Sequence, residues 1–211
     1  MVDKKKLQES VKTVFESKGT RKFKQSIELA INFKDIDFKK AENRINLDVV
    51  LPLSPKEAKI AIFADGQLAL EAKTAGADLV IPGPEISSYA KNKKKQKELL
   101  AYRFLAQPQL MVEVGKSLGQ VLGTRGLLPK PIPPSGNLKQ LIALLRKTVN
   151  IKTKGKFLPS VHVLVGNEDL DPEQVVDNAI AVLDAVEHKV GLNSIKSVFV
   201  KATMSKPVKV I

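Results

Sequence analysis

Residues 197–211 read SVFVKATMSKPVKVI, and their reading decides how the chain is assembled. Val198 and Val200 alternate as the buried side of a strand does, and Val208 and Val210 resume that alternation. Between them Thr203, Met204, Ser205 and Lys206 interrupt it, in a stretch with three lysines and no acid. A turn would explain the interruption, and so would a surface that grips a polyanion. The same half-buried pattern stands far away in the sequence. In KQSIELAINF (24–33), Ile27, Leu29, Ile31 and Phe33 share one face, and Ser26, Glu28 and Asn32 the other. RINLDVVLP (44–52), SVHVLVG (160–166) and SIKSVFVKA (194–202) follow suit.

Two helices accompany these strands. Residues 4–18 place Leu7, Val11, Val14 and Phe15 at helical spacing, with Gly19 closing the helix. Pro172 starts a helix whose Val175, Val176, Ala179, Val182, Leu183 and Val186 form one apolar stripe. Between the two sets the pattern changes. KIAIFA (59–64), DLVIPG (78–83) and AYRFLAQP (101–108) are short apolar strands. Helical segments separate them: GQLALEAKTAG (66–76) behind Asp65, a short one near 84–91, LMVEVGKSLGQVLG (110–123) in parts, and the amphipathic NLKQLIALLRK (137–147). Strands alternating with helices predict a parallel sheet with crossover helices.

The expected fold class is therefore α/β with two domains. Residues 1–57 and 152–211 form a discontinuous two-layer domain, an antiparallel sheet covered by two helices. Residues 58–151 form an inserted three-layer, Rossmann-like α/β domain.

Composition narrows the function. Apolar residues make up 43% of the 211, enough for a packed core, so the chain is not a disordered basic tail. No apolar run reaches the ~20 residues that span a bilayer, and MVDKKKLQES has no apolar segment of a secretory signal behind its charges. Cysteine is absent, which excludes disulfides and fits a cytoplasmic location. Lys+Arg number 35 against 22 Asp+Glu, a formal +13 and a pI near 9.8. Such an excess on a folded chain points to nucleic acid. The charge is uneven: residues 1–24 hold eight bases against three acids, 146–157 hold five bases and no acid, and 167–187 hold seven acids and no base. A membrane-surface protein would instead concentrate its charge in one amphipathic helix with Trp or Phe opposite, and this chain has no Trp.

Enzyme motifs fail on inspection. GKS (115–117) has the tail of a phosphate-binding loop, but the glycine required five residues earlier is Leu110. No G-x-G-x-x-G follows a strand, and no G-x-S-x-G is present. His162 and His188 have no partner at metal spacing. His162 reads as a strand residue, and His188 suits the last turn of its helix. No cofactor is expected. The basic run KNKKKQK (91–97) is either a solvated helix end or a nucleic-acid contact. LGTRGLLPKPIPP (122–134) reads as an ordered, non-regular loop with Arg125 and Lys130 within reach of phosphates.

RKFKQSIELAINF, LGTRGLLPKP, SVHVLVG and SVFVKATMSKP together resemble the family of large-ribosomal-subunit protein number one, in its archaeal branch. The resemblance covers nearly the whole chain in matching order. Two positions depart from the family pattern: Thr124 stands where Gly-Pro-Arg-Gly has its proline, and Ser205 where Thr-Met-Gly has its glycine.

The resemblance implies an RNA-binding domain built from both ends of the sequence and an inserted domain on a hinge. It implies binding to the stalk region of large-subunit rRNA near the tRNA exit site, help in releasing deacylated tRNA, and repression of the protein's own mRNA. Partners would thus be rRNA, exit-site tRNA and that mRNA, with no membrane, and the free protein a monomer. The implied contact residues are Lys22, Phe23, Lys24, Ser26, Glu28, Lys154, His162, Ser197, Lys201, Thr203, Met204, Ser205 and Lys206, with Arg125 and Lys130 as secondary contacts. Hydroxyls and the Glu28 carboxylate would bond 2′-hydroxyls, with the Thr203 hydroxyl both giving and taking a hydrogen bond. Phe23 and Met204 would lie on sugar or base faces, and lysines would neutralise phosphates. The competing reading is a nucleotide-dependent enzyme seated on the insert.

Overall fold

The computed structural model describes residues 4–56, 58–133, 136–153 and 158–211. The chain divides into two compact units, 1–56 with 147–211 (unit 1) and 57–146 (unit 2). In chain order the described helices and strands are α1 (Lys4–Ser17), β1 (Ser26–Phe33), β2 (Asn46–Val50), β3 (Lys59–Phe63), α2 (Gly66–Thr74), β4 (Leu79–Ile81), α3 (Gly83–Lys91), α4 (Lys93–Leu99), β5 (Tyr102–Ala106), α5 (Met111–Arg125), β6 (Lys130–Pro131), α6 (Leu138–Lys147), β7 (Thr148–Lys152), β8 (Ser160–Asn167), α7 (Pro172–Val190), β9 (Ile195–Ala202) and β10 (Val208–Lys209).

Unit 1 is built on a four-stranded antiparallel sheet in the order β10-β9-β1-β8. Alternation sets its two faces. Ile27, Leu29 and Ile31 lie opposite Ala202, Val200 and Val198, and all six are buried. They share one core with Leu7, Val11 and Val14 of α1 and with the apolar stripe of α7, so both helices cover the same face. A fully buried side chain of this kind contributes about 1.5–3 kcal/mol, which explains why a slipped register is not tolerated. The other face carries Ser26, Glu28, Ala30 and Asn32 of β1, all partly exposed.

The alternating strand at 44–52 does not join this sheet. As β2 it pairs with β7, Val49 opposite Val149 and Leu47 opposite Ile151, in a separate two-stranded ribbon whose apolar side closes the same core. Unit 1 therefore resumes between Arg146 and Lys147, ahead of β7 rather than after Ile151. α6 passes directly into β7 with no Gly or Pro between them, so the sequence carries no turn signal there. The two crossings are held side by side: the Leu51 amide donates to the Lys147 carbonyl at 3.0 Å. Asn178, fully buried on α7, fixes the outgoing strand. Its Nδ2 donates to the Val165 carbonyl (2.8 Å) and its Oδ1 accepts from the Leu53 amide (3.1 Å).

Unit 2 has a parallel sheet in the order β4-β3-β5-β6. Ala61, Phe63 and Phe104 pack with α3 and α5 on one side, and Ile60, Ile62 and Leu105 with α2 and α6 on the other. Burial on both faces is why these strands read as continuous apolar runs. Residues 110–123, expected to be helical in parts, lie almost wholly in the single helix α5. The expected loop at 122–134 is regular at 122–125 and 130–131. Residues 122–125 are the last turn of α5, Gly126 ends it at φ 70°, and Lys130–Pro131 pair with Leu105 and Ala106. Thr124 sits inside that turn, its hydroxyl donating to the Val121 carbonyl at 3.1 Å. The glycine and proline content that suggested a loop marks a helix end and an edge strand instead.

Candidate nucleic-acid interface

Antiparallel pairing of β1 with β9 puts Ile27 opposite Ala202, so the Thr203 turn comes to rest beside Ser26 and Gln25. The Thr203 hydroxyl accepts from the Ser26 amide (3.0 Å) and donates to the Ser26 carbonyl (3.2 Å). It thus extends the ladder by one side-chain rung. Its single proton is used within the protein, which corrects the expectation that it both gives to and takes from a 2′-hydroxyl.

Gln25 anchors the turn from below. It is fully buried: its Oε1 accepts from the Met204 amide (3.0 Å) and its Nε2 donates to the Lys18 carbonyl (2.9 Å). Its own carbonyl accepts from the Glu168 amide (3.1 Å). Ser205 closes the turn on itself, its hydroxyl accepting from the Ala202 amide at 2.8 Å. No positive φ occurs at Ser205, so the residue that replaces the family glycine causes no backbone strain there.

The result is a rigid turn with an exposed apolar tip. Met204 is 57% and Phe23 50% exposed; Met204 is tied to Gln25 through its amide, and Phe23 stands two residues before Gln25 in the chain. Lys22 and Lys206 are exposed and Lys201 partly so. Lys24 is also exposed but forms a 2.8 Å pair with Asp169. A surface pair of this kind is worth only ~0.2–1 kcal/mol, little obstacle to a phosphate. On the open face Glu28 stands opposite Lys201.

The remaining expected residues spread along that face. His162 is exposed and lies opposite Ala30, and Ser197 lies opposite Asn32, whose Nδ2 donates to its hydroxyl at 3.0 Å. Six residues separate Ser197 from Thr203, roughly 20 Å along a strand. They share the face but not the tip. Lys154 lies outside the described residues. Arg125 and Lys130 are exposed in unit 2, at the end of α5 and on β6.

Gln25 and Phe199 are not among the expected contact residues, and Asn32 is expected only as a residue of the open face. Gln25 had a signal, because it occupies the same phase as Ile27, Leu29 and Ile31 and is the polar member of a core-facing series. Phe199, partly exposed opposite Ala30, lay between two valines that drew the eye to the other face.

Unit 2 argues against nucleotide chemistry. Ligands of such sheets bind at the carboxyl ends of the strands where the order reverses, here between β3 and β5. Asp65 and Gln107 fill that point: the Asp65 carboxylate accepts from the Gly83 amide (2.8 Å), and Gln107 Oε1 accepts from the Asp65 amide (3.2 Å). A carboxylate there repels phosphate. Among the described residues no group of three His, Cys, Asp or Glu could hold a metal, and no helix is long and apolar enough to cross a membrane.

Fold and site define a class: a basic, two-unit α/β binding protein with lysines around the end of its central strands and, among the described residues, no catalytic constellation. Comparison with known proteins gives the family. Residues 11–206 match the ribosomal protein L1p/L10e family. A protein of Methanothermobacter thermautotrophicus named large ribosomal subunit protein uL1 is 43% identical over 97% of this chain and 98% of its own. The proteins of that name from Archaeoglobus fulgidus (42% identical, 100% of both chains) and Methanocaldococcus jannaschii (44%, 99% of this chain and 96% of its own) agree. The chain belongs to this family of large-subunit ribosomal proteins, structural and non-enzymatic constituents of the ribosome in the cytoplasm.

Proposed function

We propose that unit 1 binds a stalk region of the large-subunit rRNA through the Phe23–Thr203–Met204 edge and the adjoining open face of its sheet. The reading extends to assisting release of deacylated tRNA from the exit site and to repressing translation by binding a similar structure in the protein's own mRNA. The free protein acts as a monomer. The observation that carries this reading is a pair of exposed apolar side chains, Met204 on a turn held by Gln25, Thr203 and Ser205 and Phe23 two residues ahead of Gln25, with exposed lysines near each in sequence. Lysines place the RNA by its phosphates, and the apolar tip with its polar surround selects it by shape and sugar contacts.

Thr203→Val tests the edge. It keeps shape and β-propensity and removes the rung to Ser26. Water replaces the rung in the free protein, so the melting temperature changes little. Under bound RNA the Ser26 amide and carbonyl lose that water, at ~1–3 kcal/mol. The expected loss of affinity for the stalk fragment is about 5- to 150-fold, with binding to random duplex RNA unchanged. Equal affinity of the two chains for the stalk fragment would remove Thr203 from the site.

A second consequence concerns the division of labour. With residues 57–146 replaced by a short linker, the rest retains its whole core and the Leu51–Lys147 closure. It is expected to unfold cooperatively and to keep its preference for the stalk fragment. A chain of that design lacking native circular dichroism would show that unit 1 depends on its insert.

A further inference from the structure

We propose that the segment 91–97 of unit 2, KNKKKQK, is a second RNA-binding surface that holds the phosphate backbone without reading sequence; this rests on the reading of the chain as an RNA-binding protein. Unit 2, residues 57–146, holds thirteen bases and seven acids. Five of those bases and none of the acids lie in 91–97, which leaves the rest of the unit nearly neutral. The positive field of unit 2 therefore has one source.

The segment is ordered. α3 ends at Lys91, and Asn92 is extended and accepts from the Lys94 amide at 3.0 Å to start α4. Leu99 is fully buried, and the Gln96 side chain donates to the Ala90 carbonyl. Lys95 lies 4.6 Å from the centre of the Tyr89 ring. Burial, then the nearby Glu85 and Glu98, push the Tyr89 hydroxyl above its ordinary range, so that ring is neutral. Lys91, Lys93, Lys94 and Lys97 remain exposed, with no ion pair within 4.0 Å among the described residues.

Their placement opposes helix stability in two ways. Three lysines occupy the first turn of α4 with no acid there, against the helix dipole. Lys93 and Lys94 also face Lys97 at four and three residues, where like charges repel. α1 also begins with lysines, but there Lys4 lies 3.7 Å from Asp177. α4 is held by its Asn92 cap and buried Leu99 rather than by its charges, and local rules are broken at sites that serve a ligand. The ammonium groups, not helix amides, would hold it. Protein interfaces have an apolar centre, and the exposed residues of 91–97 are lysines and Asn92, so the occupant fitted is a phosphate backbone.

The test uses the full-length chain with Lys91→Gln, Lys93→Gln, Lys94→Gln and Lys97→Gln, keeping Lys95. Affinity for the stalk rRNA fragment and for a random RNA duplex is measured from about 0.1 to 0.5 M salt. If two to three phosphate contacts are lost, the slope of log K against log salt becomes shallower by roughly 1.5–2.5. Both affinities then fall by about 20- to 100-fold near 0.15 M, and their ratio holds. The melting temperature stays level or rises, since repulsion is removed. Should it fall, the Lys93→Gln/Lys94→Gln pair is measured in the same way, with about half the effect expected. A wild-type slope in the substituted chain overturns the proposal, and it does so equally if the segment serves an acidic protein. A wild-type chain with no preference for the stalk fragment would instead count against the reading of unit 1, while the slope still decides on this segment.

Discussion

Asn178→Leu is expected to destabilise unit 1 by about 2–5 kcal/mol, a fall in its melting temperature of roughly 5–20 °C. Leucine matches asparagine closely in size, so the packing loss is small. The cost comes from two backbone groups. The Val165 carbonyl on β8 and the Leu53 amide beyond β2 both take their partners from this side chain, which is fully buried. The Val165 carbonyl is left without a hydrogen bond at a buried position and the Leu53 amide at a partly buried one, at ~1–3 kcal/mol apiece. Thermal unfolding followed by circular dichroism checks it. A midpoint within 2 °C or so of wild type would mean that water reaches these groups, and that Asn178 is not the tie between α7 and the outgoing strand.

Phe23→Ala combined with Met204→Ala should have the largest effect on binding. Both side chains are at least half exposed in the free protein, so their removal leaves the core of unit 1 intact. Bound RNA would bury them. Base–aromatic stacking is worth ~1–3 kcal/mol per base, and a buried thioether of this size contributes a similar amount. The double variant is therefore expected to bind the stalk fragment about 100-fold or more weakly. Its affinity for random duplex RNA and its salt slope should match wild type, because no charge has been removed. A proportional loss for both RNAs would show that these side chains support the turn rather than touch RNA.

Most of this architecture is legible because burial writes a period into sequence. β1 and β9 bury every second residue against two helices on one face, and the strands of unit 2 are covered on both, so the two styles separate the units by eye. What escapes is pairing and punctuation. β2 alternates as β1 does, and nothing in Ile45, Leu47 or Val49 says that their strand prefers β7 to the main sheet, since both arrangements bury the same residues. At 122–134 Gly126 and Pro131 were correct as breaks. The error lay in joining them into one loop, when one ends a helix and the other sits on an edge strand.

The candidate site stands out in the sequence for a different reason. Met204 and Phe23 continue the alternation of β9 and β1 past the strand ends, yet lysines surround both in sequence, and the family resemblance marks the same stretches. The supporting bonds were not legible. That the Thr203 hydroxyl turns inward to Ser26, that Gln25 holds the Met204 amide, and that Lys24 engages Asp169 all depend on contacts across 145 or more residues of chain. Polar residues at core phase, Gln25 just ahead of β1 and Asn178 in α7, are the trace such bonds leave in sequence.

The central claim is that the Thr203 turn and Phe23 form the seat of the RNA. It is tested most directly by zero-length ultraviolet crosslinking of the wild-type chain to the stalk rRNA fragment. Salt of about 0.5 M would suppress contacts made by phosphate attraction alone, and the crosslinked peptides would then be mapped. The account predicts adducts at Phe23 and Met204 that a random duplex does not give. Adducts confined to unit 2, or equal yields at Phe23 and Met204 from both RNAs, would contradict it.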